Sequence, residues 1–145
     1  MRLMSVALTE QAVVERRKTV TRRLGWTFLQ PGDRLQLVRK SMGRRRADGT
    51  VEPLVRLAVV EVASVTRIPL TLMSKCDTRR EGFPALSPDE FVVFFTKAMR
   101  CRPETIVTRI AWRYLTDIDL NPPSGFGLLK SGDKTGNGAV QRVLS

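Results

Sequence analysis

The chain has 145 residues, an apolar fraction of 42%, a net charge of +11 and no histidine. This length predicts one domain with a hydrophobic core. The absence of histidine excludes His-based triads and His–Cys zinc sites, and the sequence predicts neither a metal nor another cofactor. The basic charge favours a polyanionic partner, such as RNA or a nucleotide.

The cysteine and hydropathy patterns indicate a cellular compartment. Cys76 and Cys101 do not form a CxxC pair, and the chain contains no run of 18 apolar residues. Reduced thiols, no membrane span and a cytoplasmic location are therefore expected. The N-terminal apolar stretch is also too short for a signal peptide.

The N-terminal third is organised around a cationic stretch. Residues 2–8 predict a first strand, and Thr9 is the expected N-cap of a short helix. This helix is expected to stop near Arg17, inside the stretch 16–23, Arg-Arg-Lys-Thr-Val-Thr-Arg-Arg. Its β-branched residues favour extended structure, so a bend or strand is predicted after the helix. Lys18 and Thr21 lie three residues apart, and a joint role for them requires a turn at this point.

The middle of the chain is predicted to be rich in strands. Pro31-Gly32 marks a turn before an alternating strand at 34–38, and residues 54–67 give the strongest strand signal. Glu61 interrupts this long strand and is expected to form an ion pair. Trp26 is expected in the core or at a barrel rim, with base stacking as the open alternative.

A basic loop, residues 39–50, separates these two strands. Its Asp48-Gly49 pair predicts a hairpin tip. The loop contains the densest arginine cluster of the chain, formed by Arg44, Arg45 and Arg46. These side chains are either a solvated surface or contacts to phosphate groups, and both interpretations stay open.

The C-terminal half predicts a helix and a further strand. Residues 77–84, in which Glu81 follows two arginines, are interpreted as a loop. Ser87-Pro88-Asp89-Glu90 predicts a capping box and a helix to about residue 99, whose phenylalanine stripe is interpreted as core packing. Residues 106–115 predict a strand on which Arg109 is a candidate anion contact.

The composition changes near residue 117. The following residues are rich in Gly, Ser, Pro and Lys and contain little to bury. The predicted organisation is therefore one domain over residues 1–117 and a flexible tail over residues 118–145.

The cationic stretch resembles the signature of the ASCH domain family, relatives of the PUA-like RNA-binding barrels, whose pattern is roughly Gly-x-Lys-x-x-Thr-x-Arg. Lys18, Thr21 and Arg23 match this pattern, whereas Arg16 stands at the position of the Gly. If that Gly serves a tight turn with positive φ, Arg16 would resist it. Further motifs follow in the order of phage-type members: Trp26, Pro31-Gly32-Asp33, Glu81-Gly82-Phe83 and Thr108-Arg109-Ile110-x-Trp112.

The resemblance covers about residues 1–116 and implies both a fold and a cavity. The implied fold is α+β, a PUA-like small β-barrel of about five or six strands with two or three short helices. The acidic residue of the Glu-Gly-Phe stretch lines the same cavity as the Lys and Thr of the signature in this family. The resemblance therefore implies that Glu81 lies with Lys18 and Thr21.

Three functions follow from the charge and the resemblance. The first is a module that binds RNA, a nucleoside or a nucleotide in a basic cleft. Its candidate anion contacts are Arg17, Arg22, Arg23, Arg44, Arg45, Arg46 and Arg109.

The second implied function is a small amidohydrolase acting on N4-acylated cytidine nucleosides. Thr21 would be the nucleophile, Lys18 the base or oxyanion contact, and Glu81 a proton relay or a contact to the base edge. A metal-independent ribonuclease that uses Lys18 and Tyr114 is a third option.

Overall fold

The structure, a computed structural model, describes residues 1–39, 45–51 and 53–123. The chain divides into two units after Tyr114. The described part of the first unit contains a β-sheet, three α-helices and a cleft. The described part of the second unit contains one short helix.

Five strands of the first unit form a curled sheet: β1 Arg2–Ser5, β2 Val20–Arg23, β3 Arg34–Val38, β4 Arg56–Pro69 and β5 Ile106–Tyr114. Their order across the sheet is β1-β3-β4-β5-β2. The strands β1 and β3 are parallel, and the other neighbours are antiparallel. The sheet is a half-barrel whose two edges are β1 and β2, and the predicted α+β, PUA-like fold class is confirmed.

The long strand β4 is the centre of the sheet. It pairs with β3 on one side and with β5 on the other, and its register to β5 shifts between Val62 and Ser64. Glu61 lies opposite Arg34 and Arg113 on the two neighbouring strands. Its carboxylate lies 3.8 Å from Arg34 Nε and 3.5 Å from Arg113 Nη2, so the predicted ion pair is confirmed.

Three α-helices accompany the sheet: α1 Glu10–Val14, α2 Lys75–Arg80 and α3 Pro88–Met99. The helix α3 begins with the predicted capping box. Ser87 Oγ accepts from the Glu90 amide at 3.1 Å, and the Glu90 carboxylate accepts from the Ser87 amide at 2.8 Å. These bonds satisfy two of the free amides of the first turn and fix where the helix begins.

Two sequence-based predictions of local structure are wrong. The predicted strand at residues 2–8 ends at Ser5, because Ala7–Thr9 form a 3₁₀ turn that leads into α1. The predicted loop at residues 77–84 begins inside α2. Ser74 Oγ caps this helix by accepting from the Asp77 amide at 3.1 Å, and the arginines of its last turn suit the helix dipole.

Two hydrophobic clusters form among the described residues of the first unit. The first lies on the inner face of the sheet and includes Met4, Leu35, Val60 and Ile110. The second lies under α3 and consists of Leu70, Phe91, Phe95 and Val107. The interpretation of Phe91 and Phe95 as core residues is therefore confirmed.

The described part of the second unit contains α4 Asp117–Leu120, which begins with a capping box between Thr116 and Asp119. The predicted change at residue 117 coincides with the start of this helix. The flexible tail stays a prediction, since most of residues 118–145 lie outside the described residues. None of the helices in the described ranges has the length and apolar character needed to cross a bilayer.

Candidate functional site

A cleft of about 210 Å³ opens in the first unit between elements that are distant in sequence. One part of its lining is polar and charged: Lys18, Thr21, Arg22, Arg23 and Glu81. Another part is apolar and comes mainly from α3 and the turn before it: Phe83, Phe91, Phe94, Phe95 and Met99. The end of β1 and the following 3₁₀ turn complete the lining with residues 5–9.

Lys18 is buried at the base of the cleft, with 3% of its surface exposed. Its backbone is anchored on both sides, because its amide donates to Ala12 and its carbonyl accepts from Trp112 Nε1 at 3.0 Å and from the Tyr114 hydroxyl. The ammonium group donates to the Glu81 carbonyl at 2.7 Å and lies 3.4 Å from Glu81 Oε1. The predicted neighbourhood of Lys18 and Glu81 is therefore present in the fold.

Burial lowers the pKa of Lys18 from 10.5 to about 8. The cost of desolvating the charged ammonium is the largest cause, and the positive charges of Arg23 and Arg22 act in the same direction. The carboxylate of Glu81 opposes this effect. Lys18 is therefore a group that changes charge just above neutral pH.

Thr21 and Arg23 lie two residues apart on β2 and both line the cleft. The Thr21 hydroxyl oxygen accepts from Arg23 Nε at 3.3 Å, and Arg23 Nη2 donates to the Ser5 carbonyl at 2.6 Å. Since Ser5 ends β1, this side chain links the two edge strands of the half-barrel. Burial lowers the pKa of Arg23.

The position of Glu81 depends on the end of α2. Gly82 follows with φ +97°, and a Cβ at this residue would lie 3.0 Å from Ala12 Cβ and 3.2 Å from Thr9 Cγ2. The Thr19 amide also donates to the Arg80 carbonyl at 2.8 Å. The end of α2 is thus held against α1 and the start of β2, which places the Glu81 carboxylate beside Lys18.

Asp77 is the charged residue of this region that sequence reasoning missed. It is 5% exposed, and its carboxylate accepts from the guanidinium groups of Arg22, Arg80 and Arg109. The hydrogen bonds from Arg109 and Arg22 hold the pKa of Asp77 well below its usual range, and the same contact raises the pKa of Arg109. The Ser74-x-x-Asp77 spacing is a helix-start signal that could have placed Asp77 on a helix, but it does not reveal the partners.

The predicted anion contacts fall into three groups. The first group is at the cleft: Arg22 and Arg23 line it, and Arg109 lies next to Arg22 across the β2–β5 ladder, where it contacts the carboxylate of Asp77. The second group is Arg17 alone. Arg17 is exposed and donates to Glu15 at 2.6 Å.

The third group lies in the basic loop. Arg45 bridges to Val51 and Arg46 bonds Thr50 in a small exposed hairpin, as the Asp48-Gly49 tip predicts. Arg44 lies outside the described residues.

Arg16 adopts a left-handed backbone in the turn between α1 and β2. Its φ is +61°, although a non-glycine residue resists this conformation. Its guanidinium lies 5.5 Å from the centroid of the Tyr114 ring. The turn between α1 and β2 therefore forms without the glycine of the signature, and Lys18 still enters the cleft.

The donor set of the site does not favour a metal ion. In the part of the chain that the structure describes, no three His, Cys, Asp or Glu side chains lie close enough together to hold one. The groups of the cleft are suited to hydrogen bonding and to proton transfer.

Structural comparison places this architecture among known folds. An ASCH domain from Lactobacillus crispatus JV V101 has a TM-score of 0.53 and 12% identity, over 78% of this chain and 78% of that chain. The chain has the ASCH-domain fold. Protein EF3133 from Enterococcus faecalis V583, assigned to the family model DUF984, has a TM-score of 0.53 and 16% identity, over 79% of this chain and 75% of that one.

These ASCH-fold relatives are similar to the chain in fold alone, because the sequence identities are low. No protein-family model matches the sequence, and no curated protein matches it. The function of the cleft must therefore be argued from its own residues.

Proposed function

We propose that this ASCH-fold protein binds a nucleotide, either free or as one splayed-out residue of an RNA strand. The observation that carries the proposal is the combination of a cationic floor and a phenylalanine wall in one cleft. A flat heteroaromatic ring suits the wall, and an anionic or hydrogen-bonding group suits the floor.

The size of the cleft favours a single nucleotide unit over a length of strand. Its volume of about 210 Å³ is smaller than the roughly 300–1,000 Å³ of sites for drug-sized molecules. One base and part of its sugar fill such a space. An RNA strand would therefore insert one residue here and keep its other residues outside.

The charges of the floor favour a ligand with a phosphate group. Lys18 and Arg22 both contact Glu81, which is the one acid among the described residues that line the cleft, so this carboxylate is shared between two cations. Arg23 adds a third positive charge. The surplus of positive charge supports binding of an anion, and Glu81 can accept hydrogen bonds from the edge of a base.

The proposal is tested by calorimetric titration with cytidine and uridine monophosphates, the matching nucleosides and a short single-stranded RNA. Phe94→Ala should weaken nucleotide binding by about tenfold, within the range for loss of one stacking contact. Val93→Ala is the matched control, because Val93 is on the same helix, is exposed and is not among the residues that line the cleft. Equal affinities of these two variants, or no binding to any ligand, would contradict the proposal.

The basic loop supplies a second, separable test. If Arg44, Arg45 and Arg46 contact phosphates of an RNA strand, replacing all three with Ala weakens RNA binding and reduces its salt dependence. Mononucleotide affinity should stay unchanged, because these side chains would act outside the cleft. Equal losses for RNA and mononucleotide would assign the effect to the cleft or to the fold instead.

A second candidate, an amidohydrolase acting on N4-acylated cytidines, is favoured by one observation. Lys18, whose pKa is lowered to about 8, lines the same cleft as the Thr21 hydroxyl. Neutral Lys18 would take the hydroxyl proton while Thr21 Oγ1 attacks the acyl carbon. The C–N bond then breaks, the protonated Lys18 returns the proton to the leaving amine, and water hydrolyses the acyl-threonine.

Turnover of N4-acetylcytidine tests this second candidate. Lys18→Met and Thr21→Val should each abolish turnover while the melting temperature shows that the variant is folded. Glu81→Gln should reduce turnover, because Glu81 would relay protons or hold the base edge. Full activity in both the Lys18 and the Thr21 variant would exclude the mechanism.

A further inference from the structure

One buried guanidinium connects two acidic residues, Asp77 of α2 and Glu81, which directly follows the last residue of this helix. Asp77 and Glu81 are four residues apart, so their side chains lie on the same face of the helix. Arg22 Nη2 lies 2.7 Å from Asp77 Oδ2, and Arg22 Nη1 lies 3.1 Å from Glu81 Oε2. The orientation of Arg22 is therefore determined by two carboxylates, of which Glu81 lines the cleft and Asp77 does not.

Asp77 is itself held from the side away from the cleft. Arg109 donates to both of its oxygens, at 2.7 and 3.0 Å, and Arg80 donates at 3.1 Å. Arg22 and Arg109 are direct cross-strand partners in the β2–β5 ladder. Two like charges at such positions repel each other, and the carboxylate of Asp77 between them offsets this repulsion.

The remaining nitrogen of Arg22 has no hydrogen-bond partner within the described residues. Arg22 is 3% exposed, and its Nε is buried without an acceptor. The side chain is therefore held through its two terminal nitrogens. Among the described residues, Arg22 forms ion pairs with Asp77 and Glu81. If the carboxylate of Asp77 were removed, Glu81 would be the acidic partner that remains.

We propose that Asp77 is a positioning residue for the cleft: it holds Arg22 so that this guanidinium takes Oε2 of Glu81 and leaves Oε1 to Lys18. This role of Asp77 rests on the proposed function only in that the cleft is the ligand site. Asp77 acts through Arg22 and Glu81, and it makes no contact with the ligand. The division of the two Glu81 oxygens between Arg22 and Lys18 then determines which hydrogen bonds the floor offers to a ligand.

Loss of the Asp77 charge has a defined consequence for Lys18. Arg22 would turn toward Glu81 and compete for Oε1, and Asp77 would no longer offset its charge. Lys18 is faced by Glu81, Arg22 and Arg23. A weaker contact with Glu81 and a stronger repulsion from Arg22 both disfavour the ammonium form.

The test is the titration of the Lys18 side chain by NMR in ligand-free protein labelled at lysine. In Asp77→Asn, which keeps the shape of the side chain, the midpoint should fall by about half a pH unit or more. Asp89→Asn is the control, since Asp89 is an exposed acid in the first turn of α3. This substitution should leave the titration midpoint of Lys18 nearly unchanged. An unchanged midpoint in folded Asp77→Asn would overturn the proposal, because a merely structural acid lowers the melting temperature without moving Lys18.

Two further variants keep the proposal testable. Asp77→Asn should have no additional effect on the Lys18 midpoint in an Arg22→Gln background, since the two residues act in series. An additive effect would show that Asp77 does not act through Arg22 and would reject the proposal. If Asp77→Asn does not fold, Asp77→Glu, which keeps the charge but shifts the carboxylate, should move the midpoint in a folded protein.

Ligand binding is measured separately on the same proteins. A shifted Lys18 midpoint together with no nucleotide binding by the wild type would reject the nucleotide proposal and retain the role of Asp77. Nucleotide binding by the wild type, together with an unchanged Lys18 midpoint in Asp77→Asn, would retain the nucleotide proposal and reject the role of Asp77.

Discussion

Lys18 and Glu81 meet at the base of the cleft although 63 residues separate them in the chain. The ammonium contacts both the carbonyl and the carboxylate of Glu81, and both residues are 3% exposed. A buried ion pair is weak evidence for stability, because removing two charges from water costs about as much as their attraction returns. The pair is better understood as part of a site, and its charge state should be visible in several measurements.

Protein stability should rise with pH as Lys18 loses its proton. The pKa of Lys18 is about 8 in the folded protein and 10.5 for the ordinary group, so between these values the unfolded chain binds a proton that the folded protein does not. The free energy of unfolding therefore increases through this window, by up to about 3 kcal/mol. Urea unfolding between pH 7 and 10.5 measures it.

Two lysine variants show whether this increase belongs to Lys18. It should disappear in Lys18→Met and persist in Lys97→Met, because Lys97 is an exposed residue of α3. An identical pH dependence in both variants would assign the effect to other groups.

Gly82 should be far less tolerant of substitution than Gly32. The two glycines have φ of +97° and +96°, so alanine suffers the same backbone strain at both, about 1–2 kcal/mol. A Cβ at Gly32 meets none of the described atoms within 4 Å, whereas a Cβ at Gly82 lies 3.0 Å from Ala12 Cβ. Gly82→Ala should therefore cost a further 1–3 kcal/mol, roughly the penalty for overpacking.

Urea unfolding of the two alanine variants measures this difference. Because Gly82 follows Glu81, the Gly82→Ala protein should also bind ligand more weakly in its folded state. Equal losses of stability in the two variants would show that α1 moves away from the end of α2 without cost.

The sequence predicted best the elements that are determined locally. The strand at 34–38 and the capping box at Ser87 follow from alternation and from a spacing of three residues, and both appear where predicted. The six-residue helix α2 has no apolar periodicity of its own, so its local pattern predicts a loop from residue 77 onward. Its position depends on contacts with α1 and β2, which no local pattern contains.

The candidate site also contains residues that the sequence could indicate and a residue whose role depends on tertiary contacts. The family resemblance groups Lys18, Thr21 and Glu81, and the structure places them in one cleft. Asp77 was missed because its role depends on Arg22 and Arg109, which reach it across 55 and 32 residues of sequence. Charge composition predicted a basic protein but could not indicate which arginines are neutralised inside the fold.

At position 16, a glycine variant should be more stable than an alanine variant. Its φ of +61° is costly for any residue with a Cβ, and both substitutions remove the contact between its guanidinium and the Tyr114 ring. Arg16→Gly should therefore be more stable than Arg16→Ala by about 1 kcal/mol.

Thermal and urea unfolding of the two Arg16 variants measure this difference. The pair Arg17→Gly and Arg17→Ala provides the control, because Arg17 is not among the positive-φ residues of the described chain, and there alanine should be the more stable. The same order at both positions would show that the turn does not require a left-handed residue.

The pH dependence of the cleft should have opposite signs for the two proposed functions. A nucleoside monophosphate is attracted by protonated Lys18, so its affinity should fall as the pH rises through about 8. Catalysis by Lys18 as a base requires the neutral amine, so kcat/KM for N4-acetylcytidine should rise through the same pH and then level off. Calorimetry and a pH–rate profile on one protein preparation measure the two quantities.

An uncharged nucleoside serves as the control for the binding arm, because it lacks the phosphate that Lys18 would attract. Its affinity should change less between pH 7 and 9 than that of the monophosphate. A monophosphate affinity independent of pH would show that its phosphate does not meet Lys18. Turnover that falls above pH 8 would exclude Lys18 as the base. It would show that the reaction requires the protonated ammonium form of Lys18.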